Sequence, residues 1–98
     1  MRVVATQIDA DGTMHRRGVD TAQCSDGPEW EDLACRALAV PPPYRPVPGM
    51  PIYQVSLDGD REVLVAGHDL AGPLLDLVTA VLARGEEVLA RPGAPRFR

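Results

Sequence analysis

Ninety-eight residues with 45% hydrophobic content amount to one domain around one core, which excludes a repeat array or a second domain. Fourteen acids against ten bases leave a formal net charge of −4, which argues against a dedicated nucleic-acid or anionic-membrane binder. One Trp, two Tyr and one Phe are the only aromatics, so Leu, Val and Ala must fill the core.

Residues 2 to 9 are rich in Val, Thr and Ile, and Asp11-Gly12 tolerates the positive φ of a tight turn, so a first hairpin returning over Thr13 to Asp20 is expected. Ser25-Asp26-Gly27-Pro28-Glu29 reads as a helix start, with a capping side chain, an early proline and acids facing the positive end of the dipole. Trp30, Leu33, Ala34, Ala37 and Leu38 then share one stripe of a helix ending near Ala39. Six prolines fall between Pro41 and Pro51 and predict a stiff, extended crossing that cannot be a central strand. Tyr53, Val55 and Leu57 alternate with Gln54 and Ser56 in a strand with one wet face, Asp58-Gly59-Asp60 turns, and Glu62 to Ala66 returns. Asp69 or Gly72 can cap a last helix carrying Leu74, Leu77, Val78, Val81 and Leu82 on one face, and Gly85 can end it in a left-handed conformation. Glu86 to Ala90 can add a short edge strand. The expected fold class is therefore α+β, with a four-stranded antiparallel sheet and two amphipathic helices on one face, in the order ββαββα. Residues 1–90 form the single domain, and the basic stretch 91–98 is expected to be a flexible tail.

The start of the chain is too soon charged for a signal-peptide core, and no apolar run approaches the roughly 20 residues that span a bilayer. A cytoplasmic location follows as the expectation, with no membrane association and with Cys24 and Cys35 as free thiols. His15, His68, Cys24 and Cys35 lack the close spacing of a metal site, so no metal and no cofactor is expected. Cys35 reads as a small core filler on the flank of the first helix, and His68-Asp69 as a helix cap rather than a catalytic pair. No nucleophile elbow or glycine-rich phosphate loop appears, so an enzyme is unsupported. The acids Asp26, Glu29, Glu31 and Asp32 suit a first helical turn better than a docking patch. The proline segment differs, because no folding need calls for six prolines together, and a rigid segment loses little entropy when gripped by a partner. Tyr44, Arg45, Val47 and Met50 are its candidate contacts, Tyr and Arg being the types that most often carry interface energy. A passive crossover strap explains the same prolines nearly as well.

The run Ile52-Tyr53-Gln54-Val55-Ser56-Leu57-Asp58-Gly59-Asp60-Arg61-Glu62-Val63-Leu64-Val65, followed by Asp69-Leu70-Ala71-Gly72-Pro73-Leu74-Leu75-Asp76-Leu77-Val78, resembles the emfourin family, bacterial proteinaceous inhibitors of thermolysin-like metallopeptidases. The order of elements in Met1 to Ala39 fits the same family. Ala10-Asp11-Gly12-Thr13 stands where the family carries a Gly-Gly-Phe-like first turn. A fainter similarity, Cys24 and Cys35 ahead of a Pro- and Tyr-containing loop, is to subtilisin-inhibitor-like proteins, but no second cysteine pair accompanies it. The emfourin resemblance implies reversible blockade of a peptidase cleft by a protein with no catalytic residues. The first turn (Asp11, Gly12, Thr13) and the proline segment (Tyr44, Arg45, Val47, Met50) are its expected contact surfaces. Two other readings are a non-inhibitory adaptor partnering a biosynthetic or other enzyme, and a small enzyme built on His68 and Asp69.

Overall fold

The chain begins as a hairpin, and the details of its turn follow from one glycine. The computed structural model describes residues 1–87. Strands β1 (Arg2–Ile8) and β2 (Met14–Asp20) are joined by the five residues Asp9 to Thr13, in which the Asp9 N–H donates to the Thr13 carbonyl at 2.8 Å, closing a loop of three, and the Gly12 N–H donates to the Asp9 carbonyl at 2.9 Å. Gly12 takes φ 90°, which costs a residue without a Cβ nothing, and Asp11 accepts the Thr13 N–H at 2.9 Å. Only Gly12 of the Asp11-Gly12 pair is left-handed, so the turn is one residue longer than the tightest hairpin.

Helix α1 (Gly27–Ala39) follows a 3₁₀ turn at Thr21–Gln23. Its expected side-chain cap is absent: Asp26 occupies the N-cap position without a capping bond, because its carboxylate accepts instead from Trp30 Nε1 at 3.0 Å and Arg84 Nη2 at 3.1 Å. The proline segment then leads to β3 (Ile52–Leu57) and β4 (Arg61–Ala66). Their turn takes positive φ at Asp58 (53°) and Gly59 (77°), and Asp60 N–H donates to the Leu57 carbonyl at 3.0 Å. A 3₁₀ turn at Gly67–Asp69 precedes helix α2 (Gly72–Arg84). Here too the capping expectation is corrected. Ala71 is the N-cap residue and makes no side-chain bond, while Asp69 is held by Arg45.

Among the described residues the sheet has five strands, in the order β4-β3-β1-β2-β5, with every neighbouring pair antiparallel. The four-stranded expectation is thus corrected by β5 (Glu86–Glu87), which pairs with Arg17 and Gly18 of β2. The remainder of the expected edge strand, and the basic tail at 91–98, lie outside the described residues. Gly85 ends α2 with φ −75°, so it is no left-handed cap. Its glycine is required by crowding, since a Cβ there would lie 2.6 Å from the Val81 carbonyl oxygen and 2.9 Å from that of Gly18.

The register puts Val3, Ala5, Val19, Val55, Leu57 and Val65 on one face, where they join Trp30, Ala34, Leu38, Leu74, Leu77 and Val81 in a single buried cluster. Both helices therefore cover the same face. Each fully buried Leu or Val removes enough apolar area to contribute about 1.5–3 kcal/mol. Both predicted stripes are the buried ones, except that Leu33 and Leu82 are only partly covered. Two sheet arginines also meet the carbonyls left over at helix ends: Arg61 Nη2 donates to Leu38 at 2.9 Å and Arg17 Nη1 to Gly85 at 3.3 Å. Cys35 is exposed, not a core filler, and Cys24 is half-buried; both are free thiols.

Candidate binding surface

The hairpin turn and the proline segment, far apart in sequence, meet at one end of the sheet. The antiparallel register requires this: Ile8, the last residue of β1, pairs with Ile52, the first of β3, so the chain on either side of that pair emerges at the same end. Within the proline segment, Met50 N–H donates to the Val47 carbonyl at 3.1 Å, and Gly49 at φ 87° follows Pro48. Proline second and a left-handed glycine third make a type II turn, so both structures at this end finish in a hydrogen-bonded tip.

Between the tips lies an open depression of about 380 Å³, lined by Asp9 and Ala10 from the hairpin, Val47, Gly49 and Met50 from the strap, and Ile52 from β3. Val47 (44% exposed) and Met50 (37%) line it, Met14 (52%) stands at the same end of the sheet through its pairing with Ile8, and Tyr44 (43%) is exposed further back along the strap. Single exposed hydrophobics are ordinary, but several gathered on one end of a small domain mark a surface with a use.

Of the residues singled out from sequence, Val47 and Met50 line the depression, and Asp11, Gly12 and Thr13 form the tip beside it. Tyr44 and Arg45 do not line it. Arg45 is instead committed within the molecule, its Nη2 donating to Asp69 Oδ1 at 2.7 Å and its Nε lying 3.4 Å from Oδ2, a forked pairing that ties the strap to the 3₁₀ turn before α2. The strap is tied a second time where the Gly67 N–H donates to the Pro51 carbonyl at 2.9 Å. The Arg45 guanidinium, with a smaller contribution from His68, holds the Asp69 carboxyl below the usual carboxylate range. Asp11 is lowered as well, chiefly by the Thr13 backbone N–H it accepts.

Sequence reasoning passed over Asp9, Ala10, Met14 and Ile52. Asp9 and Ala10 belong to the same turn as Asp11, and Ile52 opens the strand whose wet face had been identified, so an expectation that β3 pairs with β1 would have found all three.

The other candidate groups do not converge on a reactive centre. His68 Nε2 lies 3.4 Å from Asp69 Oδ2, but that carboxylate already serves Arg45, and His15 Nε2 is 3.6 Å from Asp9 Oδ2 on an exposed strand. Among the described residues no three His, Cys, Asp or Glu side chains gather as a metal ion would require, and no helix is long and apolar enough to cross a membrane. Between the helices, Asp26, Trp30 and Arg84 form a closed set, with the Arg84 guanidinium 5.0 Å from the Trp30 ring centroid. Partial burial works to raise the Asp26 carboxyl, but the hydrogen bond from Arg84 and its charge outweigh it, and the net shift is downward.

Compared with family models, curated proteins and solved structures, the chain matches none.

Proposed function

We propose that this chain is a protein-binding domain that inhibits a thermolysin-like metallopeptidase, and that it meets its partner with the end formed by the first hairpin turn and the proline strap. The single observation carrying the reading is the juxtaposition of two hydrogen-bonded turn tips with Met14, Val47 and Met50 exposed beside them. Such a surface suits blockade of a cleft for a physical reason. Six prolines, a forked ion pair and one closed turn leave the strap little conformational freedom to lose on binding, so more of the contact energy remains as affinity. Exposed apolar anchors in the middle of such a surface are the groups expected to carry that energy. The peptidase as partner rests on the emfourin-like run from Ile52 to Val78.

The mechanism is occlusion. The two tips enter the cleft together, the apolar side chains displace water from its walls, and the substrate is excluded without any bond being made or broken. No catalytic residue, metal or cofactor of this chain takes part. Titrating a thermolysin-like peptidase from the same genome with this protein tests the reading: hydrolysis of a peptide substrate falls in proportion to added protein. Unchanged hydrolysis at molar excess rejects it, and co-purification with an enzyme that is not a peptidase favours the adaptor reading instead.

A further inference from the structure

The helices cover one face of the sheet, and the register defines what the other presents. Reading from β4 to β2, one row holds Glu62, Ser56, Val4 and Gly18, the next Leu64, Gln54, Thr6 and Arg16, and the third Ala66, Ile52, Ile8 and Met14. A hollow of about 220 Å³ lies at its centre, lined by Val4, Thr6, Arg16, Gln54, Ser56 and Glu62. Leu64 is 40% and Met14 52% exposed on its flanks. Arg16 donates its Nε to Thr6 Oγ1 at 3.0 Å, and neither Arg16 nor Glu62 enters an ion pair with another described residue.

The geometry points to a second copy of this chain as the occupant of that face, packed sheet to sheet about a two-fold axis running along the strands between β1 and β3. That axis lays β1 of one copy over β3 of the other and β2 over β4. Ile8 then meets Ile52, each half-buried in the single chain, and Met14 meets Leu64 beside Ala66, which its own chain already buries. Arg16 of each copy lies over Leu64 of the other, one row from Glu62 and within reach of it along its long side chain, and this happens twice by symmetry. The pattern is self-complementary because the cation sits on β2 and the anion on β4, on opposite sides of the axis. Aligned sheet packing, with strands crossing at about 30°, is the ordinary arrangement for two such faces. Four strands about 4.8 Å apart and about 20 Å long bury on the order of 1,000 Å² in total, the low end for a specific interface, so a dimer of modest affinity follows. Because the axis runs along the strands, both copies present their turn tips at the same end. Met14 and Ile52 belong to this face and to the turn end alike, so dimer and peptidase complex compete for them, and sedimentation of the protein alone tests the dimer whatever the tips bind.

Sedimentation equilibrium over a range of concentrations tests it through charge reversal. The wild-type mass rises toward twice the 10.5 kDa of one chain. Arg16→Glu or Glu62→Arg alone puts like charges together at both pairs and weakens self-association by about tenfold or more, equivalent to about 1.4 kcal/mol. An equimolar mixture of the two variants restores it, since every facing pair is then opposite in sign. A monomer at all concentrations, or a dimer indifferent to both reversals, or a mixture no tighter than its components, overturns the proposal. If losing the Thr6 bond unfolds Arg16→Glu, Glu62→Arg and Glu62→Gln still decide it: the reversal must weaken the dimer more than the neutral change, and equal effects reject the pairing.

Discussion

On the helix side of the sheet, Leu77, Val81, Val3 and Val55 are fully buried and share one cluster. At the turn end, Met14, Val47 and Met50 are one-third to one-half exposed and rest on backbone held by hydrogen bonds, prolines and one ion pair. The same residue classes serve opposite purposes in the two places. In the core, apolar side chains supply stability and the backbone follows. At the turn end, the backbone is fixed by other means, and the side chains are free to be spent on a partner. Substitutions should therefore separate cleanly: core changes lower stability and leave the affinity of the folded fraction unaltered, whereas changes at the turn end do the reverse.

The largest effect belongs to the core. Leu77→Ala removes a side chain with no exposed surface and should cost about 2–5 kcal/mol, lowering the thermal midpoint by about 4–8 °C for each kcal/mol. Thermal unfolding by circular dichroism measures it. Gly85→Ala comes next, because the new methyl would press on the carbonyl oxygens of Val81 and Gly18, and a loss of about 1–3 kcal/mol is expected in urea titrations. Gly12→Ala has open space around its Cβ, so only the positive φ opposes it. It should cost about 1 kcal/mol and is the one exception to that separation, because distorting the tip's own backbone reduces partner affinity at the same time.

The smallest effect is at the strap's tether, where it depends on pH. Asp69 titrates lower in the folded chain than in the unfolded one, so its pairing with Arg45 stabilises the fold above the ordinary aspartate range. That stability is lost as the pH falls through the depressed folded value. Urea midpoints of wild type and Asp69→Asn should thus differ at neutral pH and converge in acid; a gap that persists in acid would place Asp69's role elsewhere.

Much of the scaffold was legible because it depends on local periodicity. The stripes beginning at Trp30 and Leu74 and the alternation from Tyr53 to Leu57 each encode a buried face without reference to distant residues. Both helices start where the glycine-proline pairs indicate, but their side-chain caps were misread because a capping group can be claimed by a distant one: Asp26 is taken by Trp30 and Arg84, and Asp69 by Arg45. Gly85 was misread for a similar reason, since its need comes from Gly18, across the sheet. The candidate surface was legible as two separate pieces. That they form one surface depends on β1 pairing with β3, a contact of high sequence separation that no local pattern announces. Arg45 has the residue type of a contact anchor, yet its guanidinium is used to hold the strap.

The central claim is that the turn end, and not some other exposed apolar site, meets the partner. Leu75, on α2 and 40% exposed, provides the internal control for Val47, at 44%. Both tolerate an aspartate with stability changes within about 0.5 kcal/mol, since neither is buried. Titrating the thermolysin-like peptidase with each variant is the most direct measurement. Val47→Asp should weaken inhibition at least tenfold, about 1.4 kcal/mol, while Leu75→Asp inhibits like wild type. Equal potency of the two variants, or greater loss from Leu75→Asp, would contradict the account.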